Sequence, residues 1–85
     1  SDVYKRQEFT FVGTAIRWYG QNDVNFGAAE VYVDGVLAGE VNVYGPAAAQ
    51  QLLFEADGLA YGKHTIRIVC VSPVVDFDYF SYVGE

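Results

Sequence analysis

Phe9-Thr-Phe-Val-Gly-Thr-Ala-Ile-Arg-Trp-Tyr-Gly20 is followed nine residues later by Ala29-Glu-Val-Tyr-Val-Asp-Gly-Val-Leu37, and these two runs set the architecture of an 85-residue chain. Apolar side chains alternate along each run, which is the period of a strand with one buried face and not of a helix. Glycines interrupt the alternation where turns are needed. Asp34-Gly35 is the strongest local signal. A two-residue type I′ hairpin demands positive φ at both central positions, and Asp-Gly tolerates that better than almost any other pair.

Working outward, strands are expected at Phe9–Val12, Ala15–Tyr19, Ala28–Val33, Val36–Tyr44, Gln51–Ala56, His64–Val71 and Asp76–Val83. Gly13-Thr14 reads as a sharp turn. Gly45-Pro46 ends the fourth strand, because proline cannot donate to a ladder. Asp57-Gly58 and Tyr61-Gly62 bracket a loop. Residues 47–52 are rich enough in Ala and Gln for one helical turn, although too short to stand as a helix alone. In the third strand Ala29, Val31 and Val33 share a face opposite Glu30 and Tyr32. In the sixth, both faces are largely apolar, as in a central strand whose outer side is partly covered. In the seventh, alternation alone does not say which face is inside. Ile16 and Trp18 share a face, which puts Trp18 in the core and Arg17 and Tyr19 outside. Arg17 is expected to pair with Glu30 or another cross-strand acid. The fold class that follows is all-β, an antiparallel two-sheet β-sandwich.

The head of the chain differs from the rest. Ser1-Asp-Val-Tyr-Lys-Arg-Gln7 has no apolar period and holds two of the five basic residues. It matches the translation of a sequencing-library transposon end, TCA GAT GTG TAT AAG AGA CAG. On that reading residues 1–7 are a non-native head and residues 8–85 a single sandwich module, partial at its N-terminus. Foreign segments are set aside in fold reasoning.

Composition limits the partners. The formal charge is −6, and 52% of residues are hydrophobic. Without the head the charge becomes −7, from Arg17, Lys63 and Arg67 against ten carboxylates. Such a surface repels phosphate backbones and anionic lipid, so neither nucleic acid nor membrane is an expected partner. No apolar run reaches the ~18 residues of a spanning helix. The lone Cys70 sits within Ile66-Arg-Ile-Val-Cys-Val71 and reads as a small buried hydrophobe, not a reactive thiol.

The two opening runs resemble β-sandwich modules of the galactose-binding-like, jelly-roll superfamily that are appended to secreted bacterial glycoside hydrolases and surface proteins. The residues that carry the likeness are Phe9, Phe11, Gly13, Ile16, Arg17, Trp18, Tyr19 and Gly20, then Ala29 to Val33 with Asp34 and Gly35, and finally Gly58-Leu-Ala-Tyr-Gly-Lys-His-Thr-Ile-Arg-Ile68. The likeness covers most of the chain and is specific for the fold, but not for a sugar. It departs in two places. Members usually have strands before the Phe-x-Phe motif, and many have a longer loop than Ser72-Pro73-Val74-Val75 before the last strand. What the resemblance implies is a jelly roll with a secreted or cell-surface location, held beside a catalytic domain in the same parent chain.

Few residues carry enzyme chemistry. His64 is the only histidine, and no Ser or Cys lies in a nucleophile elbow, so a catalytic triad is not supported. His64 is expected to be a strand-start residue satisfied by hydrogen bonds. Asp76 and Asp78, two apart on a strand, share one face. They read as a solvated sheet edge, or with a loop carbonyl as a structural calcium site. No other cofactor is indicated; one Cys and one His do not close a zinc site.

Binding is the better expectation. If each strand crosses the sandwich, loops 20–27, 45–50 and 72–75 share one end, and turns 13–14, 34–35 and 57–62 share the other. The first end gathers Asn22, Asp23 and Asn25 with the flanking rings of Tyr19 and Tyr44. Amides and a carboxylate satisfy sugar hydroxyls, and aromatic faces stack on pyranose C–H groups. Amides also populate wet turns for purely conformational reasons. The expected function is therefore a non-catalytic carbohydrate-binding or adhesion-type accessory module with polysaccharide or glycan as partner. The alternative is a structural spacer with the same fold and no ligand.

Overall fold

A computed structural model describes residues 6–22, 27–42, 45, 48–70 and 76–84; the side chains at 21, 22, 48–50 and 76–79 fall outside that description. Seven strands follow in order: β1 Arg6–Gly13, β2 Ala15–Asn22, β3 Ala28–Val33, β4 Val36–Asn42, β5 Ala48–Ala56, β6 Gly62–Cys70 and β7 Asp76–Val83. They form two antiparallel sheets. One has the order β1-β6-β3-β4 and the other β5-β2-β7. The protein is an all-β sandwich, as the alternation predicts.

The core fills the space between the sheets. Phe11 of β1, Ile16 and Trp18 of β2, Ala29 and Val31 of β3, and Ile66 and Ile68 of β6 are buried together. Each strand contributes every second residue, the arrangement that a pleated backbone imposes. Trp18 is fully buried, so the pairing of Ile16 with Trp18 on one face reads correctly. Cys70 is buried and free, and burial pushes its thiol pKa up. In β7 the structure settles the face that alternation leaves open. Phe80 stacks on Phe9 with centroids 5.1 Å apart, and Tyr82 lies 5.6 Å from Phe11.

The chain changes sheets in a single residue. β1 ends at Gly13, β2 begins at Ala15, and the Thr14 N–H donates to the Val83 carbonyl at 2.9 Å. A Cβ built on Gly13 would lie 1.9 Å from that same carbonyl oxygen, so only glycine fits where the sheets meet. At Asp34-Gly35 the φ angles are +53° and +81°, both positive as a type I′ turn requires.

Two expectations are corrected. The Ala-Gln stretch does not turn helically where it is described: β5 already begins at Ala48, with Gln51 opposite Gly20 and Leu52 opposite Tyr19. A ladder to a neighbouring strand supplies backbone hydrogen bonds that so short a helix could not hold against fraying. β1 also starts earlier than expected, with Arg6 opposite Val69 and Gln7 opposite Ile68, so the last two residues of the unusual head continue a strand. The expected extension of β4 to Tyr44 lies outside the described residues.

Candidate functional site

Tyr19 is the expected binding residue whose side chain the structure describes. It is half-buried on β2, opposite Leu52 on β5 and Tyr79 on β7. Because Ile16 and Trp18 point into the core, Arg17 and Tyr19 face outward from the middle strand of the smaller sheet. Tyr19 thus belongs to a sheet face, and the expectation that it flanks an end loop is refined accordingly. Asn22 closes β2, paired in register with Ala48; its side chain is not described. Asp23, Asn25 and Tyr44 lie outside the described residues, as does loop 72–75. The expected loop 20–27 is shortened, since Gly20 to Asn22 continue the strand.

Arg17 has Glu55 as its partner, with Nε donating to Oε2 at 2.6 Å. The two residues are directly opposite in the β2–β5 register. Glu30 instead accepts a hydrogen bond from the Tyr32 hydroxyl at 2.9 Å. That bond, helped by burial, raises the Tyr32 pKa. The Arg67 guanidinium lies over the Tyr32 ring, 4.7 Å from its centroid, a cation–π contact that covers part of the outer face of β3 and β6. Arg17 thus pairs with a cross-strand acid as expected, but with Glu55 and not Glu30; sequence alone does not pick Glu55 because β2 and β5 are far apart in the chain. Nothing local signals their register.

At the opposite end, turns 13–14 and 34–35 and the 57–62 segment do come together. The Leu59 N–H donates to the Thr14 carbonyl at 3.0 Å. Asp34 and Thr65 exchange two bonds: the Asp34 N–H reaches the Thr65 carbonyl at 2.8 Å, and the Thr65 N–H reaches Asp34 Oδ1 at 2.9 Å. His64 bridges the loop and the turn. Its Nε2–H donates to the Ala60 carbonyl at 2.7 Å and its Nδ1–H to Asp34 Oδ2 at 2.5 Å. A carbonyl and a carboxylate only accept, so the two bonds are made together by the protonated imidazole. The Ala60 carbonyl first, then the Asp34 carboxylate, raises the His64 pKa. The His64 bond first, then the Thr65 N–H, lowers that of Asp34. With both nitrogens committed, this histidine is a structural tie and has no lone pair for general base work.

Among the described residues, no group of three or more His, Cys, Asp and Glu stands together as a metal site. Asp76 and Asp78 carry the calcium expectation, and their side chains are not described. The β7 register skips a residue here: Tyr19 faces Tyr79 and Gly20 faces Phe77. Asp78 is therefore the unpaired residue of a bulge in the β2–β7 ladder. Among the described residues no helix is long and apolar enough to cross a membrane.

Comparison with known proteins finds a relative that is far longer. The chain is 57% identical over 75 residues, 88% of its own length, to an A type blood alpha-D-galactosamine galactosaminidase of Flavonifractor plautii. The match spans 7% of that protein. The relative is a glycosidase. The likeness covers a small part of it, and that part folds here as a two-sheet sandwich. No family model matches the chain.

Proposed function

We propose that the chain is a non-catalytic accessory module of the galactose-binding-like, jelly-roll kind. It belongs to a larger secreted or cell-surface bacterial protein, binds a glycan, and serves a catalytic domain in the same polypeptide. The observation that carries this reading is the 57% identity to a stretch making up 7% of a galactosaminidase. A segment so small beside its relative is the size of an appended domain, not of a glycosidase. The described residues agree with that role. The single histidine is tied by both nitrogens, and three of the described carboxylates, Glu55, Asp34 and Glu30, serve the Arg17, His64 and Tyr32 contacts.

Such a module raises the effective concentration of substrate at its enzyme by tethering. The binding surface in this reading combines the outward ring of Tyr19 with Asn22, Asp23, Asn25 and Tyr44. Ring stacking supplies area and the amides and carboxylate supply hydroxyl partners. The test is chemical-shift mapping with a panel of oligosaccharides that includes glycans ending in α-linked galactosamine. Saturable shifts centred on residues 19–25 support the reading. An absence of shifts with every glycan leaves the spacer alternative, and shifts confined to the Asp34–His64 end move the site.

A further inference from the structure

The exposed large apolar side chains gather at one end of the sandwich. Val12, Val36, Leu37, Tyr61, Tyr82 and Val83 all belong to strand ends and turns around positions 13–14, 34–35 and 57–62, and among the described residues Leu52 is the exception. Exposure is large: 70% for Val36, 62% for Tyr61 and 55% for Leu37. Scattered apolar residues are ordinary on a surface, whereas a gathered set marks a place of protein contact.

The same end is tied together by hydrogen bonds between its turns. Thr14 is bonded to Val83 and to Leu59, and His64 ties Ala60 to Asp34. A pre-ordered surface loses little conformational freedom on docking. The Asp34–His64 pair lies at this end, while the chain as a whole carries −6. Two copies meeting here would bring two like-charged bodies together, which disfavours self-association. The related galactosaminidase places the matching stretch in a chain of which it is 7%.

From these observations we infer that the 13–14, 34–35 and 57–62 end is the face by which this module packs against an apolar surface of another domain of the same polypeptide. The inference rests on the accessory-module reading. It assigns the two ends different tasks: the apolar end docks, and glycan contact is left to the opposite end and the Tyr19 face.

The test uses the full parent polypeptide, with photoreactive p-benzoylphenylalanine installed at position 61 or, as control, at position 52. Cross-linked peptides are then mapped by mass spectrometry. The expected result is an intramolecular cross-link from position 61 to a peptide outside this domain, at least several-fold above that from position 52. Tyr61→Ser should correspondingly speed proteolytic cutting between the module and its neighbour. Cross-links between two molecules, cross-links confined to the module's own sheet edges, or equal yields from both positions overturn the inference. A parent gene encoding no further domain ends the module reading along with it. A multidomain parent that lacks the cross-link ends the docking inference alone, because glycan binding is measured separately.

Discussion

The Nδ1 of His64 lies 2.5 Å from Oδ2 of Asp34, joining the turn-side start of β6 to the first central residue of the β3–β4 hairpin turn. This pair makes stability depend on pH in a predictable direction. The His64 pKa is raised in the folded protein, so its contribution is complete below the unfolded value near 6.5 and is lost as pH rises through the higher folded value. Asp34 is lowered, so its contribution is present above its unfolded value near 4 and is lost as pH falls through the folded one. The expected melting temperature is flat between about pH 4 and 6.5 and falls on the alkaline side. Other carboxylates also titrate at low pH, which makes the alkaline limb the diagnostic one. Thermal melts of the protein and of His64→Gln should converge there as pH rises. A difference that is constant from pH 6 to 9 would refute the linkage.

Gly13 and Gly35 are irreplaceable for different reasons, and two substitutions separate them. Gly35 needs its φ of +81° but has open space where a Cβ would go. Gly35→Val should therefore cost more than about 1 kcal/mol through backbone strain alone. Gly13 lacks a positive φ, yet its Cβ would overlap the Val83 carbonyl at 1.9 Å. Gly13→Ala should cost about 2 kcal/mol or more, since backbone on both sides must part. Denaturant unfolding measures both. A Gly13→Ala protein as stable as the parent would mean that β1 and β7 do not meet so closely.

Local chemistry carried most of the fold into the sequence. Asp34-Gly35 specified its own turn, Gly13-Thr14 specified a sharp turn though not that the chain changes sheets there, and the shared face of Ile16 and Trp18 specified the core. Long-range register was not legible. The Arg17–Glu55 pair depends on β2 lying beside β5, and the bulge at Asp78 depends on how β7 meets β2; neither leaves a local trace. The strand at Ala48 was missed for a related reason. Alanine has little strand preference of its own, and pairing decides its conformation. Of the candidate site, the outward direction of Tyr19 was legible from alternation, whereas its neighbours Leu52 and Glu55 were not.

Arg17 and Glu55 form a short pair, but their side chains are 35% and 38% exposed. Solvent screens charges at such exposure, and ordering two long side chains costs entropy. A double-mutant cycle of Arg17→Ala and Glu55→Ala should give a coupling of about 0.2–1 kcal/mol, shrinking as salt is added. A salt-independent coupling above about 2 kcal/mol would show that the pair is more enclosed than its exposure indicates.

Tyr19 offers the sharpest test of glycan binding because it lies on the outward face of β2, in register with Leu52 and Tyr79. Single-site sugar binding by a module of this kind should be weak, with Kd between about 1 mM and 1 µM, or roughly −4 to −8 kcal/mol. Removing a stacking ring should lose about 1–2 kcal/mol, a weakening of about 5- to 30-fold. Tyr19→Phe keeps the ring and should retain most of the affinity, whereas Tyr19→Ala should not. The ring is also half-buried, so Tyr19→Ala is compared with Leu52→Ala, which trims the same face without removing an aromatic surface. Titration calorimetry gives the affinities, and circular dichroism confirms that each variant keeps its strands. Stacking predicts the order parent, Tyr19→Phe, Leu52→Ala, Tyr19→Ala from tightest to weakest. If Tyr19→Ala binds as tightly as the parent, the ring is structural and the glycan contact lies elsewhere on the domain.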